Sequence, residues 1–242
     1  MVQATVLGML GLAVALPLLV AEIDLSIPAN LGFSSAIGAL AYSDLGLPWF
    51  VAMLIGVGVA TAIGFFNGLC ITRLRMVSLI ETLAMMIILQ GALLALTQGK
   101  TLTNLSDGYI WIGQATIGGW PVMPLVFVVA LIAMGIMLTR TVLGRSIYAV
   151  GGNAVASSAA GIRVARTKVI AYTLSGFLAG VAGFLLASWQ MAITSNQGSS
   201  YLLYAIAAPI IGGVSVFGGR GNVTGIPVSY THLRAHETKA NL

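Results

Sequence analysis

Long uncharged apolar stretches recur along this chain, and they restrict it to a fold whose main solvent is lipid. Ala4–Ala21, broken only by Pro17, and Trp49–Ile71 are each long enough to cross a hydrocarbon core about 30 Å thick. Val77–Leu96, which carries Glu81 and Gln90, Met123–Leu138 and Val169–Trp189 are further apolar stretches of this kind. Two further segments fit a full crossing poorly. Ala29–Tyr42 reads as a short or broken helix, and Tyr201–Phe217, which contains Pro209, Gly212 and Gly213, as a half-helix or kinked crossing. Composition agrees: 58% of the 242 residues are hydrophobic and 7% charged, too few charges to cover a water-soluble surface. The fold class expected is all-α, a polytopic helical membrane protein with short or broken helices.

The basic residues set the expected orientation, since Lys and Arg are retained on the cytoplasmic side. Arg73 and Arg75 close one span, and two spans later the connector from Arg140 to Lys168 carries Arg140, Arg145, Arg163, Arg166 and Lys168 with no acid. Both connectors then face the cytoplasm, and Thr97–Trp120 and Gln190–Ser200 face outside. The net charge of +5 reflects this topology, and no nucleic-acid partner is implied. Gly64/Gly68 and Gly176/Gly180 have the GxxxG spacing that lets helices approach closely in lipid.

Soluble chemistry finds little support. Gly99-Lys100-Thr101 looks like the end of a P-loop, but Leu94 stands where the earlier glycine is required. A single Cys70 excludes an intrachain disulfide and a cysteine metal cage. The only histidines, His232 and His236, lie in the tail, where Glu237 is misplaced for a zinc motif. No catalytic residue, metal site or cofactor is expected. The tail from Ser229 to Leu242 leaves the apolar pattern abruptly, resembles translated adapter sequence and is set apart as non-native.

Three places are candidates for function. Asp24 and Ser26, between the first two apolar stretches, are either a pathway or helix-break site or an N-cap for the short helix. Glu81, one turn into its span, is expected to sit in the field of the helix N-terminus and reach Arg75 or water. The stretch from Thr141 to Ile162 is a long inside loop, with glycine turns around a run of tiny residues from Ala154 to Ala160. A short helix of that kind can drop into a groove on another protein, or lie as an ordinary connector on the membrane surface.

Ile23-Asp24-Leu25-Ser26, Asn67-Gly68, the block from Thr141 to Ile162, and Ile211-Gly212-Gly213-Val214-Ser215 with Gly218-Gly219-Arg220-Gly221 closely resemble the permease subunits of bacterial ABC importers for monosaccharides, the ribose, xylose and galactoside branch. The resemblance runs from about Leu7 to Gly225 and departs from the family's pattern around Pro28 and at Glu81 and Pro209. It implies a multi-pass permease of the bacterial inner membrane occupying residues 1–228 and incomplete at both ends. Its partners would be a cytoplasmic ATPase, a periplasmic sugar-binding protein, a second permease subunit and the lipid bilayer. By the same resemblance Gly151, Gly152, Asn153, Ala156, Gly161 and Ile162 couple to the ATPase, while Gly212 and Gly213 join Asp24 and Ser26 as pathway or helix-break positions. The alternative is an ion-coupled secondary transporter acting alone, with Asp24 or Glu81 as its ion site.

The orientation is testable by protease mapping of sealed vesicles. Cleavage between Asn153 and Gly161 is expected in inside-out vesicles and protection in right-side-out ones; the reverse pattern would invert the topology.

Overall fold

The computed structural model describes residues 2–103, 105–222 and 225–227; the tail from Ser229 to Leu242, with His232 and His236, lies outside the described residues. Helices dominate: α1 (Val2–Leu19), α2 (Ile27–Ser43), α3 (Trp49–Arg73), α4 (Ser78–Thr97), α5 (Asp107–Gln114), α6 (Val122–Arg140), α7 (Val142–Gly152), α8 (Ala154–Ala159), α9 (Val164–Gln190) and α10 (Leu202–Ile211). A small antiparallel hairpin, β1 (Thr116–Ile117) and β2 (Trp120–Pro121), precedes α6.

Five helices, α1, α3, α4, α6 and α9, are long and apolar enough to cross a membrane. They divide by burial. α1 and α9 form the centre, whereas α3, α4 and α6 turn bulky side chains such as Ile87, Ile88, Val129 and Ile132 outward, as a lipid-facing surface requires. α2 is the short helix expected from Ala29–Tyr42, and it is enclosed by its neighbours. Its polar side chains bond to nearby carbonyls: Ser35 Oγ donates to Gly32 O at 2.8 Å and Asn30 Nδ2 to Ala60 O at 3.0 Å. That is how polar groups survive in an apolar interior.

The two GxxxG pairs pack against each other. A Cβ on Gly64 would lie 3.0 Å from the Gly176 Cα, one on Gly68 would lie 2.9 Å from the Val169 Cα, and one on Gly180 would lie 2.9 Å from the Val57 Cα. The backbones of α3 and α9 therefore touch, which gains dispersion contacts that lipid cannot replace.

Several boundaries differ from the sequence expectation, each for a local reason. α1 stops at Leu19 because Ala21 takes a left-handed conformation (φ 59°), with Glu22 N donating to Pro17 O at 3.0 Å. α9 begins five residues before Val169; a charged side chain ends an apolar run but not a helix, so Arg166 and Lys168 extend the rod beyond the hydrocarbon. α10 has only ten residues, about 15 Å of helix, and is a half-crossing.

The expected outer connectors meet at one end of the bundle. Leu102 and Ile193 exchange both backbone hydrogen bonds at 2.8 Å. α5, not foreseen in the Thr97–Trp120 connector, is pinned to α9 where Gly113 N donates to Ser188 Oγ (2.7 Å), which donates to Ile110 O (3.0 Å). After Met191 (φ 53°) the chain turns back into the bundle, so that Gln197 and Gly198 meet Gly32 and Pro28 of α2.

Gly176→Val should lower stability by about 2 kcal/mol or more, because the added atoms meet backbone that cannot yield. Gly58→Ala, with nothing within 4 Å of its Cβ, should cause no loss. Unfolding titrations in mixed detergent micelles measure both.

Candidate functional site

The segment between α6 and α9 is a helical elbow. Thr141 caps α7, its Oγ1 accepting from Gly144 N at 3.2 Å and donating to Met137 O at 2.6 Å. Asn153, extended at φ −161°, ends α7 and caps α8, its Oδ1 accepting from Ala156 N at 2.9 Å. Gly161 (φ 83°) then reverses the chain into α9, with Ile162 N donating to Ser157 O at 2.9 Å.

Two corrections follow. The residues from Val142 to Gly152, expected as loop, are a helix, and Gly151 and Gly152 belong to its last turn rather than to a glycine turn. Gly151 is buried, and a Cβ there would collide with Leu19 O and lie 2.5 Å from Gly219 N. Gly219 N also donates to Leu19 O at 3.0 Å, and Tyr148 Oη donates to Gly221 O at 2.9 Å. The end of α1, the end of α7 and the loop after α10 thus share one seat. Gly152, Asn153, Ala156 and Gly161 face outward, and Ile162 is half-buried.

The sequence reading missed Val155, the one bulky apolar side chain in the tiny-residue run, which is 82% exposed at the elbow's tip. Its contrast with the neighbouring alanines and serines was the available signal.

The α1–α2 break lies three residues from that seat. Glu22 pairs with Lys168 of α9, the one ion pair among the described residues. Ile23 N donates to Ser78 Oγ (3.4 Å), Leu25 N to Thr82 Oγ1 (3.2 Å) and Tyr172 Oη to Ile23 O (3.4 Å), so α4 and α9 take up the backbone groups that the break exposes. Asp24 Oδ1 accepts from Ser26 N at 2.9 Å and from Ser26 Oγ at 2.6 Å. In this turn, outside the spanning helices, burial pushes the Asp24 carboxyl up to about 6, opposed by those two hydrogen bonds.

Ser26 occupies the N-cap position of α2 but its side chain accepts no N–H from that helix; its hydroxyl is taken by Asp24 and Asn67 instead. The capping expectation is therefore replaced by a turn closed on Asp24. Glu81 does not reach Arg75: its side chain is buried and faces Asn67, next to the break. Gly212 caps α10 and packs on Gly225, and Gly213 (φ 91°) starts the loop that reaches the elbow at Gly219. The structure joins Gly151 to the α1 end, and the α1 end to Asp24 and Ser26; Gly212 and Gly213 connect through residues 214–221.

Comparisons with known proteins find relatives of this chain. The chain is 36% identical over 225 residues to the Ribose import permease protein RbsC of Bacillus subtilis (strain 168), covering 92% of this chain and 70% of the relative. It is 33% identical over 229 residues to the Ribose import permease protein RbsC of Escherichia coli (strain K12), with the same coverage. To the Autoinducer 2 import system permease protein LsrC of Enterobacter sp. (strain 638) it is 36% identical over 227 residues, covering 92% and 65%. No solved structure matches. The model of a transport family, described as Branched-chain amino acid transport system / permease component, matches residues 1–229. The chain belongs to that permease family, as a multi-pass protein of the inner (plasma) membrane.

Proposed function

We propose that this chain is the membrane subunit of an ATP-driven, binding-protein-dependent sugar importer, lining part of the substrate path and coupled by its α7–α8 elbow to a separate ATPase. The partners in this reading are a cytoplasmic ATPase, a periplasmic sugar-binding protein and a second permease subunit; the chain itself performs no catalysis. Ribose-import relatives covering most of the chain support the substrate class. The observation that carries the coupling role is the elbow's form: an exposed tip bearing Val155 and small residues, backed by a seat in which Gly151 meets the last carbonyl of α1. An apolar side chain ringed by small ones suits insertion into a shallow groove.

A second reading, a carrier driven by an ion gradient, draws on the buried carboxyls of Asp24 and Glu81. Uptake that needs the ATPase and survives an uncoupler favours the first; uptake without an ATPase that collapses under an uncoupler favours the second.

Val155→Glu should cut transport-stimulated ATP hydrolysis about tenfold or more, since losing a central interface anchor costs about 2 kcal/mol, while insertion and folding stay normal. Full stimulation in that variant would remove the elbow from the coupling path. Gly151→Ala should uncouple hydrolysis from uptake by lifting α7 off α1, whereas Gly152→Ala, whose Cβ meets nothing within 4 Å, should transport normally.

A further inference from the structure

Beside the break, four side chains form one buried chain of contacts: Asp24 Oδ1 to Ser26 Oγ at 2.6 Å, Ser26 Oγ to the Asn67 amide at 2.9 Å, and the Asn67 amide to Glu81 Oε1 at 3.2 Å. All four residues are 4% exposed or less. The Asn67 amide fits in two ways. In one, Nδ2 donates to Ser26 Oγ, leaving Oδ1 towards Glu81. Turned over, Nδ2 donates to Glu81 Oε1 and to Ile63 O (3.3 Å), and Oδ1 accepts from Ser26 Oγ.

Each of the three links needs one hydrogen. The serine hydroxyl supplies one and the amide another, in either orientation. The third must come from a carboxyl. With the amide donating to Ser26, Ser26 donates to an ionised Asp24 and Glu81 donates its proton to Asn67; with the amide turned, Glu81 is ionised and Asp24 donates to Ser26. A second, independent observation agrees: Glu81 Oε2 is buried with no hydrogen-bond partner, a costly place for an ionised oxygen.

Among the described residues, the surrounding groups offer no counter-charge. Lys168 is engaged by Glu22, Tyr172 of α9 donates to Ile23 O, Ser78 and Thr82 of α4 face the break's backbone, and Cys70 of α3 lies on the side of Glu81.

We infer that Asp24 and Glu81 are a proton-binding site that holds a single proton between them, ordered by Ser26 and Asn67. The two occupancies differ by which carboxyl carries the proton, by a half-turn of the amide and by the direction in which the Ser26 hydroxyl donates. The site requires no ion flow through the protein and stands apart from the ATPase-coupling reading.

Infrared spectroscopy of the full chain in lipid nanodiscs at neutral pH tests this, through the carbonyl stretch of protonated carboxyl groups. The expected signal corresponds to one group in the unaltered chain and is lost in both Asp24→Asn and Glu81→Gln. No signal, a signal of two groups, or one that survives either replacement would overturn the inference. Each variant tests the inference singly, since a signal that survives in whichever one folds, as judged by monodisperse elution, overturns it. A signal that vanishes when sodium replaces choline would assign the carboxyls to a metal cation and overturn it as well.

Discussion

Backbone N–H and C=O groups buried away from water must find partners, and the rest of this structure is arranged around one turn that leaves them free, the break between α1 and α2. Between Leu19 and Ile27 the chain gives up its helical hydrogen bonds. Ser78, Thr82 and Tyr172 then supply partners for the backbone of Ile23 and Leu25, and Glu22 is held by Lys168. The break can exist only where α4 and α9 come this close. Their positions depend in turn on α3, whose glycines lie against those of α9. Small residues in the spans and hydroxyls at the break are two halves of one solution: the first bring the backbones together, and the second serve the groups left unpaired.

Much of this was legible in the residues. The apolar stretches gave the five spans because length and lack of charge are what lipid selects, and the GxxxG spacings marked the helix faces that touch. What the spacing could not say was that the two pairs are each other's partners, since nothing within one helix names the other. Boundaries failed where a charge was taken as the end of a helix, as at Lys168, or where a left-handed residue without glycine ended one, as at Ala21.

The candidate site was harder to read for the same physical reason. Gly151 and Gly152 looked like turn residues, yet both lie in α7, where Gly151 serves close approach and has no room for a side chain beside Leu19 O and Gly219 N. Glu81 was expected to reach Arg75 or water, whereas its neighbour, Asn67, comes from another helix. Such pairings depend on how α3 and α4 are rotated about their axes, which no local pattern specifies. Val155 was overlooked because one valine among alanines is unremarkable until its exposure is known.

The elbow is seated on the break by contacts that transmit position rather than charge. Leu19 O is the last carbonyl of α1, and both Gly151 of α7 and Gly219 of the loop after α10 press on it. A push on α7 cannot be absorbed by side-chain rearrangement, because at this seat backbone meets backbone with no side chain between. It must move α1, move the loop, or tilt the elbow. The few residues from Leu19 to Ile27 form the least helical part of the path, and they join α1 to the buried α2. In the proposed coupling, a displacement entering at the elbow would reach that break, where the backbone is held by side-chain hydroxyls instead of a helical ladder.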